Sequence, residues 1–165
     1  MDWELERYQR QLGLVYQRRV MDLNVLLLGD GAVLPYLATN LALLGVGAGK
    51  GGIFFPANSA RVEPHHLAGQ FFFTRDDLGL DVSRAATQRV YELNCAINAH
   101  ILNHATPPRF DAIVIAGDAN NFDAPANAPV IWADVTNYGL WVGATHPKIA
   151  QTFTPNALTP ALASL

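Results

Sequence analysis

The sequence has little cysteine and no long apolar run, and each shortage excludes a class of protein. Its 165 residues include one cysteine, Cys95, so neither an internal disulfide framework nor a CxxC zinc site is available. No apolar stretch approaches the roughly 20 residues that a membrane-spanning helix needs. We therefore expect a protein that neither spans a membrane nor depends on disulfides.

Positive charge is also scarce. The chain has 11 Lys and Arg against 14 Asp and Glu, a net charge of −3, whereas a nucleic-acid-binding face normally raises the isoelectric point. We expect no nucleic-acid partner. Residues 1–6 are acidic where a secretory signal would be basic and then apolar, which favours a cytoplasmic protein. Half of the residues are hydrophobic, so a chain of this length can bury a core and is most simply one domain.

The most informative stretch is Asn-Val-Leu-Leu-Leu-Gly-Asp-Gly-Ala-Val-Leu at residues 24–34. Its apolar start, its two glycines and the apolar segment at 33–44 predict a strand, a tight turn and a helix. Gly29 would allow the turn, and Gly31 would let the backbone and the helix N-terminus approach a phosphate. A third glycine is expected three residues after Gly31, but Leu34 stands there. The turn is thus built like a phosphate site and partly filled.

Hydrophobic periodicity predicts further helices and strands. Apolar residues recur at helical spacing over residues 2–21, with Gly13 as the candidate break. A second helix is predicted at 82–93, and strands are predicted at 53–55, 95–102, 111–116, 128–133 and 138–145. Cys95 would open one of these strands as a small apolar side chain. Residues 151–165 show little periodicity and are expected to form an extended or disordered tail. The alternation of strands and helices indicates an α/β domain.

Few carboxylates stand where a nucleotide would need them. The second strand of a nucleotide-binding domain is expected to end in an acidic residue that binds ribose. Here it ends in Pro56, and no Asp or Glu occurs between Asp30 and Glu63. Asp118, in the turn after the strand at 111–116, is the one carboxylate placed to meet a metal-bound phosphate, although aspartate is also a common turn residue.

A pair of histidines and a cluster of arginines each allow a structural and a functional interpretation. His65 and His66 are adjacent with no third ligand nearby, so we expect loop histidines whose side chains diverge, and no metal site. The densest positive cluster lies near the N-terminus and consists of Arg7, Arg10, Arg18 and Arg19. For any one of these arginines alone, the solvated face of an amphipathic helix is as good an explanation as a functional site.

Five short motifs are informative as an ordered set. They are Arg7-Tyr8-Gln9-Arg10-Gln11-Leu12, Gly29-Asp30-Gly31, Leu44-Gly45-Val46-Gly47, Val62-Glu63-Pro64 with Gln70-Phe71, and Glu92-Leu93-Asn94. Together they resemble the E1-like family, the ubiquitin-activating and MoeB/ThiF-type adenylating enzymes, over residues 5 to 145. The resemblance implies a Rossmann-like ThiF/E1-type α/β fold with a mostly parallel sheet flanked by helices. It implies one domain over 1–150, with helix 2–21 as a dimerisation arm and 151–165 as a tail.

Active members of that family adenylate the C-terminal glycine of a ubiquitin-like or sulfur-carrier protein with ATP and magnesium. Carried over by position, their charged nucleotide-binding residues are missing here. The ribose-binding aspartate falls on or near Pro56, the phosphate-binding arginine on Gly69 and the lysine of the next helix on or beside Val82. The magnesium-binding aspartate falls on Asn120, unless a shift of register gives the role to Asp118.

These losses remove charge where a triphosphate needs it. Removing one donor that stabilises a transferring phosphate typically costs about 3 kcal/mol of transition-state stabilisation. We therefore expect no active site and no cofactor of this chain's own. If the pocket is still open, the residual site for ATP and magnesium would consist of Gly29, Gly31 and Asp118.

One functional feature of the family is retained. Its second N-terminal arginine reaches across the dimer interface to the nucleotide held by the other subunit, and Arg10 matches that arginine, with Arg7 beside it. The sequence thus resembles the inactive half of an E1-like pair, a pseudoenzyme that supports a competent E1-like partner, with a ubiquitin-like or sulfur-carrier protein as a further partner. The alternatives are an E1-like scaffold that forms a homodimer, a weak adenylyltransferase that uses Asp118, and a nicotinamide-binding oxidoreductase.

Overall fold

The structure is a computed structural model, and it describes residues 3–29, 33–57, 60–68, 72–102, 108–116, 128–136 and 139–145. Several residues singled out above lie outside these ranges, so their predicted roles stay predictions. They are Asp30, Gly31, Gly69, Gln70, Phe71, Asp118 and Asn120, together with the predicted tail at 151–165.

Helices and strands alternate along most of the described chain. In order, the elements are α1 (Trp3–Glu6), a 3₁₀ helix (Gln9–Gln11), α2 (Gln17–Met21), β1 (Asn24–Gly29), α3 (Leu34–Leu44), β2 (Gly52–Pro56), two 3₁₀ helices (Pro64–Leu67 and Arg75–Asp77), α4 (Val82–Leu93), β3 (Ala99–Leu102), β4 (Ala112–Ala116), β5 (Val130–Thr136) and β6 (Gly139–Thr145). The predicted helices at 33–44 and 82–93 and the strands at 53–55 and 111–116 are confirmed.

One sheet of six strands has the order β3-β2-β1-β4-β5-β6. The first five strands run parallel, and β6 pairs antiparallel with β5. The register places Leu26 of β1 beside Phe54 of β2 and Ile113 of β4. The α/β prediction is confirmed, and so is the mostly parallel sheet flanked by helices.

The central strand β1 is apolar because both of its faces are covered. Val25 and Leu27 belong to the core cluster that contains small residues of α3 and α4, whereas Leu26 and Leu28 belong to the cluster on the other face of the sheet. Side chains alternate between the two faces of a strand, so a continuous apolar run is expected for a strand buried on both sides. This burial holds β1 and the start of α3 in place.

The N-terminal segment is not the single helix expected over residues 2–21. It consists of α1, a 3₁₀ helix and α2, separated by turns. Gly13 has a φ of +92°, a conformation that other residues rarely adopt, and the amides of Leu14 and Val15 bond back to the carbonyl of Gln11. The helical spacing was real, but Gly13 divides the segment, so the expected dimerisation arm is not one continuous helix.

The third strand begins later than predicted. β3 starts at Ala99 rather than at residue 95, because Asn94 ends α4 and the amide of Ile97 bonds to its carbonyl in a turn. Cys95 is therefore an exposed turn residue and not the first apolar residue of a strand. None of the helices in the described ranges is both long and apolar enough to cross a membrane.

Candidate functional site

The carboxyl ends of the first four parallel strands carry no ionisable side chain. β1 ends at Gly29, β2 at Pro56, β3 at Leu102 and β4 at Ala116. In open α/β sheets, ligands bind at this edge. The four strand ends themselves offer no side-chain charge to a nucleotide, although Asp81 and Arg84 lie near the end of β2, at the start of the helix whose Ser83 donates to the Pro56 carbonyl. The residues that directly follow β1, β3 and β4 lie outside the described ranges, so the loss of the site for magnesium-bound ATP stays a prediction.

Gly29 has a structural reason to be glycine. Its φ is +97°, and an ideal Cβ there would lie 2.0 Å from the carbonyl oxygen of Ala116. Gly29 and Ala116 are paired across β1 and β4, so a side chain would push the two central strands apart. The predicted tight turn after β1 is consistent with this φ, while phosphate binding by Gly29 stays a prediction.

At three positions where a charged residue or a glycine is expected, this chain has residues that contact the rest of the domain: Pro56, Val82 and Leu34. The carbonyl of Pro56 accepts a hydrogen bond from the hydroxyl of Ser83, which is buried. Val82 is the first residue of α4, and Leu34 is the first residue of α3; both are partly buried against the main core cluster. Packing contacts thus take the place of the expected carboxylate at Pro56, of the expected lysine at Val82 and of the expected glycine at Leu34.

The histidine pair lies in the 3₁₀ helix Pro64–Leu67. The rings of His65 and His66 do not diverge as expected, since their centroids are 4.0 Å apart. Within the described ranges, no three residues of the types His, Cys, Asp and Glu form a group that could hold a metal ion.

The C-terminal end of α3 is capped by three side-chain amides. Asn94 donates to the carbonyl of Ala42 at 3.0 Å, Gln11 to that of Leu43 at 3.4 Å, and Gln17 to that of Leu44 at 2.8 Å. The last carbonyls of a helix have no partner within the helix and need donors from elsewhere. We call Gln11, Gln17 and Asn94 the amide clamp, because together they attach the N-terminal segment and the end of α4 to α3.

Asn94 also joins the first motif to the last. Its Nδ2 atom donates to the Tyr8 hydroxyl at 2.8 Å, and its Oδ1 atom accepts a hydrogen bond from Arg7. Tyr8 and Asn94 are each 2% exposed. Arg7 is therefore held by the protein itself, which counts against the predicted helping role of Arg7 at another subunit's nucleotide.

Arg10 differs from Arg7 in this respect. It is exposed in the 3₁₀ helix Gln9–Gln11, and among the described residues no hydrogen bond or ion pair engages its guanidinium. Large apolar side chains follow it on the surface, with Leu14 83% exposed and Tyr16 75% exposed. The side chain of Arg10 is thus accessible to another molecule, and its predicted role at a partner's nucleotide stays a prediction.

Curated relatives of this chain are named as ubiquitin-activating or ubiquitin-like modifier-activating enzymes. Ubiquitin-activating enzyme E1 1 of Candida albicans is 32% identical over 91 residues, which cover 53% of this chain and 9% of that enzyme. Ubiquitin-like modifier-activating enzyme 1 of Dictyostelium discoideum is 27% identical over 125 residues, which cover 74% of this chain and 12% of that enzyme. The chain thus spans about a tenth of the length of these relatives. No protein-family model matches the sequence.

Solved structures with the same fold include E. coli MccB. Its crystal structure with succinimide has a TM-score of 0.70 at 23% identity and covers 86% of this chain and 49% of MccB. Its structure with ATP has a TM-score of 0.66 at 23% identity, over 83% of this chain and 48% of MccB. At this identity, the likeness shows the fold. This chain is E1-like in sequence and in fold.

A second network of polar side chains in the E1-like chain joins Arg89 of α4 to Asp77 and Thr74. Arg89 donates to Asp77 from Nε at 3.1 Å and from Nη2 at 2.9 Å, and the backbone N–H of Thr74 donates to the same carboxylate at 2.7 Å. Burial opposes ionisation of Asp77, but the hydrogen bonds from Thr74 and Arg89 outweigh it, so the pKa of Asp77 lies below its ordinary value. This ion pair holds the 3₁₀ helix Arg75–Asp77 on α4.

A pocket of the E1-like domain is lined by residues of two helices. It has a volume of about 340 Å³ and lies between α3 and α4. Its lining consists of Pro35, Tyr36, Thr39, Phe72, Arg89, Glu92 and Leu93. Arg89 is already engaged by Asp77 and Glu92, so its charge is neutralised within the protein.

Sequence reasoning did not identify the amide clamp. Gln11 and Asn94 belong to motifs that carry the resemblance, whereas Gln17 belongs to none of them. The available signal was weak: an Asn directly after the last apolar residue of α4, where a polar side chain can satisfy helix-end groups. Neither spacing nor composition relates residues that are 52 positions apart, as Ala42 and Asn94 are.

Proposed function

We propose that this chain is a non-catalytic E1-like subunit of a system that activates a ubiquitin-like or sulfur-carrier protein by adenylation. In this proposal, Arg10 completes the nucleotide site of a catalytically competent E1-like partner. The observation that carries it is the contrast between Arg10, which is exposed and has no partner among the described residues, and the uncharged last residues of β1 to β4.

The chemistry gives an arginine in trans a definite task. In adenylation, a carboxylate oxygen attacks the α-phosphorus of ATP, the bond between the α- and β-phosphates breaks, and pyrophosphate leaves. Negative charge shifts onto the leaving pyrophosphate, and a fixed cation stabilises that charge more than it stabilises bound ATP. Arg10 would supply the cation, while the partner supplies the phosphate and magnesium ligands that the described strand ends of this chain lack.

Exposed apolar surface near Arg10 supports pairing with another chain. Leu12, Leu14, Val15, Tyr16 and Leu43 are between 36% and 83% exposed, and the hydrogen bond from Gln11 to the Leu43 carbonyl brings α3 beside the N-terminal segment. We call these five residues the N-terminal apolar patch. Contiguous exposed apolar surface of this kind is typical of protein–protein interfaces. A partner seated on this patch would meet Arg10 at its border.

The test is the effect of Arg10→Ala on a partner's activity. The tagged chain is purified from its source organism, a copurifying E1-like protein is identified, and ATP–pyrophosphate exchange is measured with both proteins pure. We expect Arg10→Ala to lower the exchange rate by about 10²- to 10³-fold, the usual cost of one charge-stabilising donor, while the complex still forms. Arg19→Ala, which removes another exposed arginine of the segment, is the matched control and should keep the rate.

An E1-like scaffold without any adenylation role is the second candidate, and the same apolar patch favours it. A second copy of this chain could cover the patch as well as a different E1-like protein could. In that case Arg10→Ala would leave every enzymatic rate unchanged, and the purified chain would sediment as a homodimer. An exchange rate that is insensitive to Arg10→Ala in a stable complex would contradict the first proposal.

A further inference from the structure

We infer that the amide clamp is a positioning device: Asn94, Gln11 and Gln17 hold the N-terminal segment on α3 so that Arg10 is presented in one place. This inference rests on the proposed function of Arg10. The residues of the clamp do not touch a nucleotide in this scheme. They act through the backbone that carries Arg10.

Arg10 lies between Tyr8 and Gln11, whose side chains are both hydrogen-bonded, whereas its own side chain has no partner among the described residues. Two residues before it, Tyr8 is buried and bonds to Asn94; one residue after it, Gln11 bonds to the Leu43 carbonyl. The backbone between them closes a turn, because the Gln11 amide bonds to the Tyr8 carbonyl at 2.9 Å. The backbone of Arg10 is thereby fixed, while its side chain stays available.

The choice of residue types favours positioning over stability. Gln17 is 2% exposed, and the Oε1 atoms of both Gln11 and Gln17 are buried without a hydrogen-bond partner among the described residues. A buried acceptor without a partner lowers stability, but an apolar side chain in its place could not donate to the Leu43 or Leu44 carbonyl. What the glutamines supply is their N–H groups, which fix the segment to particular carbonyls of α3.

All three donors depend on one rigid surface. The carbonyls they bind belong to Ala42, Leu43 and Leu44, the last residues of α3, and Ala42 is in the main core cluster. A segment attached only through exposed apolar contacts would sample several positions. A segment attached at successive carbonyls of a helix that packs on the core has one register, which an arginine needs if it is to meet a phosphate on another molecule.

The first test measures the position of residue 10 in the free chain. Spin labels are placed at Arg10→Cys and Arg84→Cys in a Cys95→Ser background, which removes the only other thiol, and the distance distribution is measured by pulsed electron resonance. Asn94→Asp has the same size as Asn94 but places a carboxylate oxygen, without N–H, against the Ala42 carbonyl. We expect it to broaden the distribution, whereas Gln88→Ala, which removes an exposed amide bonded to Glu92, should not.

Gln11→Glu keeps the test decisive if Asn94→Asp fails to fold, since the Gln11 bond is at the surface. In either variant, the amides of Arg19 and Val20, which bond to the Tyr16 carbonyl, should exchange with solvent at least about tenfold faster than in the wild type. A narrow, unchanged distribution in folded Asn94→Asp and Gln11→Glu would overturn the inference.

The second test measures the consequence for the partner with Arg10 intact. If the segment is correctly placed only a fraction of the time, the stimulated pyrophosphate-exchange rate falls to that fraction of its full value, and we expect a loss of about tenfold for Asn94→Asp. Gln88→Ala should keep the full rate. A full rate in Asn94→Asp, together with a low rate in Arg10→Ala, would overturn the positioning role alone. If Arg10→Ala also keeps the full rate, the proposed function itself fails.

Discussion

Gly45 and the ring of Tyr8 occupy adjoining space that leaves no room for a side chain at position 45. An ideal Cβ on Gly45 would lie 2.5 Å from Cζ of Tyr8 and 2.8 Å from its hydroxyl oxygen. Gly45 also ends α3 with a φ of +85°. Gly45 thus terminates α3 in a left-handed conformation. Because it has no side chain, it also leaves the space that the ring of Tyr8, which bonds to Asn94, occupies.

Replacing Gly45 with alanine should therefore destabilise the protein for two reasons. The left-handed backbone costs about 1–2 kcal/mol for a residue with a Cβ, and the contact with the Tyr8 ring adds about 1–3 kcal/mol of overpacking. We expect urea denaturation of Gly45→Ala to show a loss of roughly 2–5 kcal/mol in the free energy of unfolding. Amide exchange of the N-terminal segment should accelerate as well.

Gly13→Ala is the matched control, since Gly13 also has a positive φ, but no heavy atom lies within 4 Å of its ideal Cβ. Only the backbone term of about 1–2 kcal/mol applies to it. Equal losses in the two variants would show that the Tyr8 contact has no energetic consequence.

The ion pair of Asp77 and Arg89 should make stability depend on pH in the acid range. Because the pKa of Asp77 is lowered in the folded state, its contribution is fully present above the ordinary aspartate pKa of about 4 and is lost as pH falls through the lower folded value. We expect the free energy of unfolding of the wild type to fall more steeply below about pH 4 than that of Asp77→Asn. At pH 7, Asp77→Asn should be less stable by about 1–3 kcal/mol.

Asp76→Asn serves as the control for this comparison, because Asp76 is the exposed neighbour in the same 3₁₀ helix. Its free energy of unfolding at pH 7 should stay within about 0.5 kcal/mol of the wild type, as for most surface substitutions. Parallel acid profiles for the wild type and Asp77→Asn would contradict the assignment of the pH dependence to Asp77.

The isolated chain should not bind ATP with magnesium, because the described strand ends carry no charge for it. A ligand present at 100 times its dissociation constant stabilises a folded protein by about 2.7 kcal/mol, which thermal denaturation detects easily. We expect no shift in Tm at millimolar ATP and magnesium. A magnesium-dependent shift would instead favour the weak adenylyltransferase alternative and a role for Asp118, and Asp118→Asn should then abolish the shift.

A charge within the N-terminal apolar patch should block association without unfolding the chain. Leu14 is 83% exposed, so Leu14→Glu should change the free energy of unfolding of the monomer by no more than about 0.5 kcal/mol. We expect it to weaken binding to a second copy, or to the E1-like partner, by at least about tenfold in analytical ultracentrifugation. Leu78→Glu, at an exposed leucine before α4, should leave binding intact; an equal effect of both variants would argue against this patch as the interface.

Local patterns predicted most of the sheet and its helices. The run Val25 to Leu28 and the run Ala112–Ala116 are strands buried on both faces, for which a continuous apolar stretch is the expected signal. The helix Val82–Leu93 has the bounds predicted from its periodicity, and the structure shows that Asp81 caps its first turn. The domain limit at residue 150 stays a prediction, since it lies outside the described ranges.

Errors arose where a local signal competed with tertiary contacts. The spacing over residues 2–21 is helical, but the segment bends at Gly13 so that Gln11 and Gln17 can both reach the end of α3. The strand predicted from residue 95 starts at Ala99. Asn94 donates hydrogen bonds to the Tyr8 hydroxyl and the Ala42 carbonyl, and the chain turns after it before β3 begins.

What the sequence by itself determined is the α/β architecture, the E1-like resemblance and the loss of charge at the positions that would bind nucleotide, because apolar periodicity and residue identity are local properties. Only the tertiary structure decided that Arg7 is held while Arg10 is free. That difference depends on Asn94, which lies 87 positions from Arg7 in the chain. Contacts over such separations are produced by the packing of α3 and α4 on the sheet, and no short stretch of sequence encodes them.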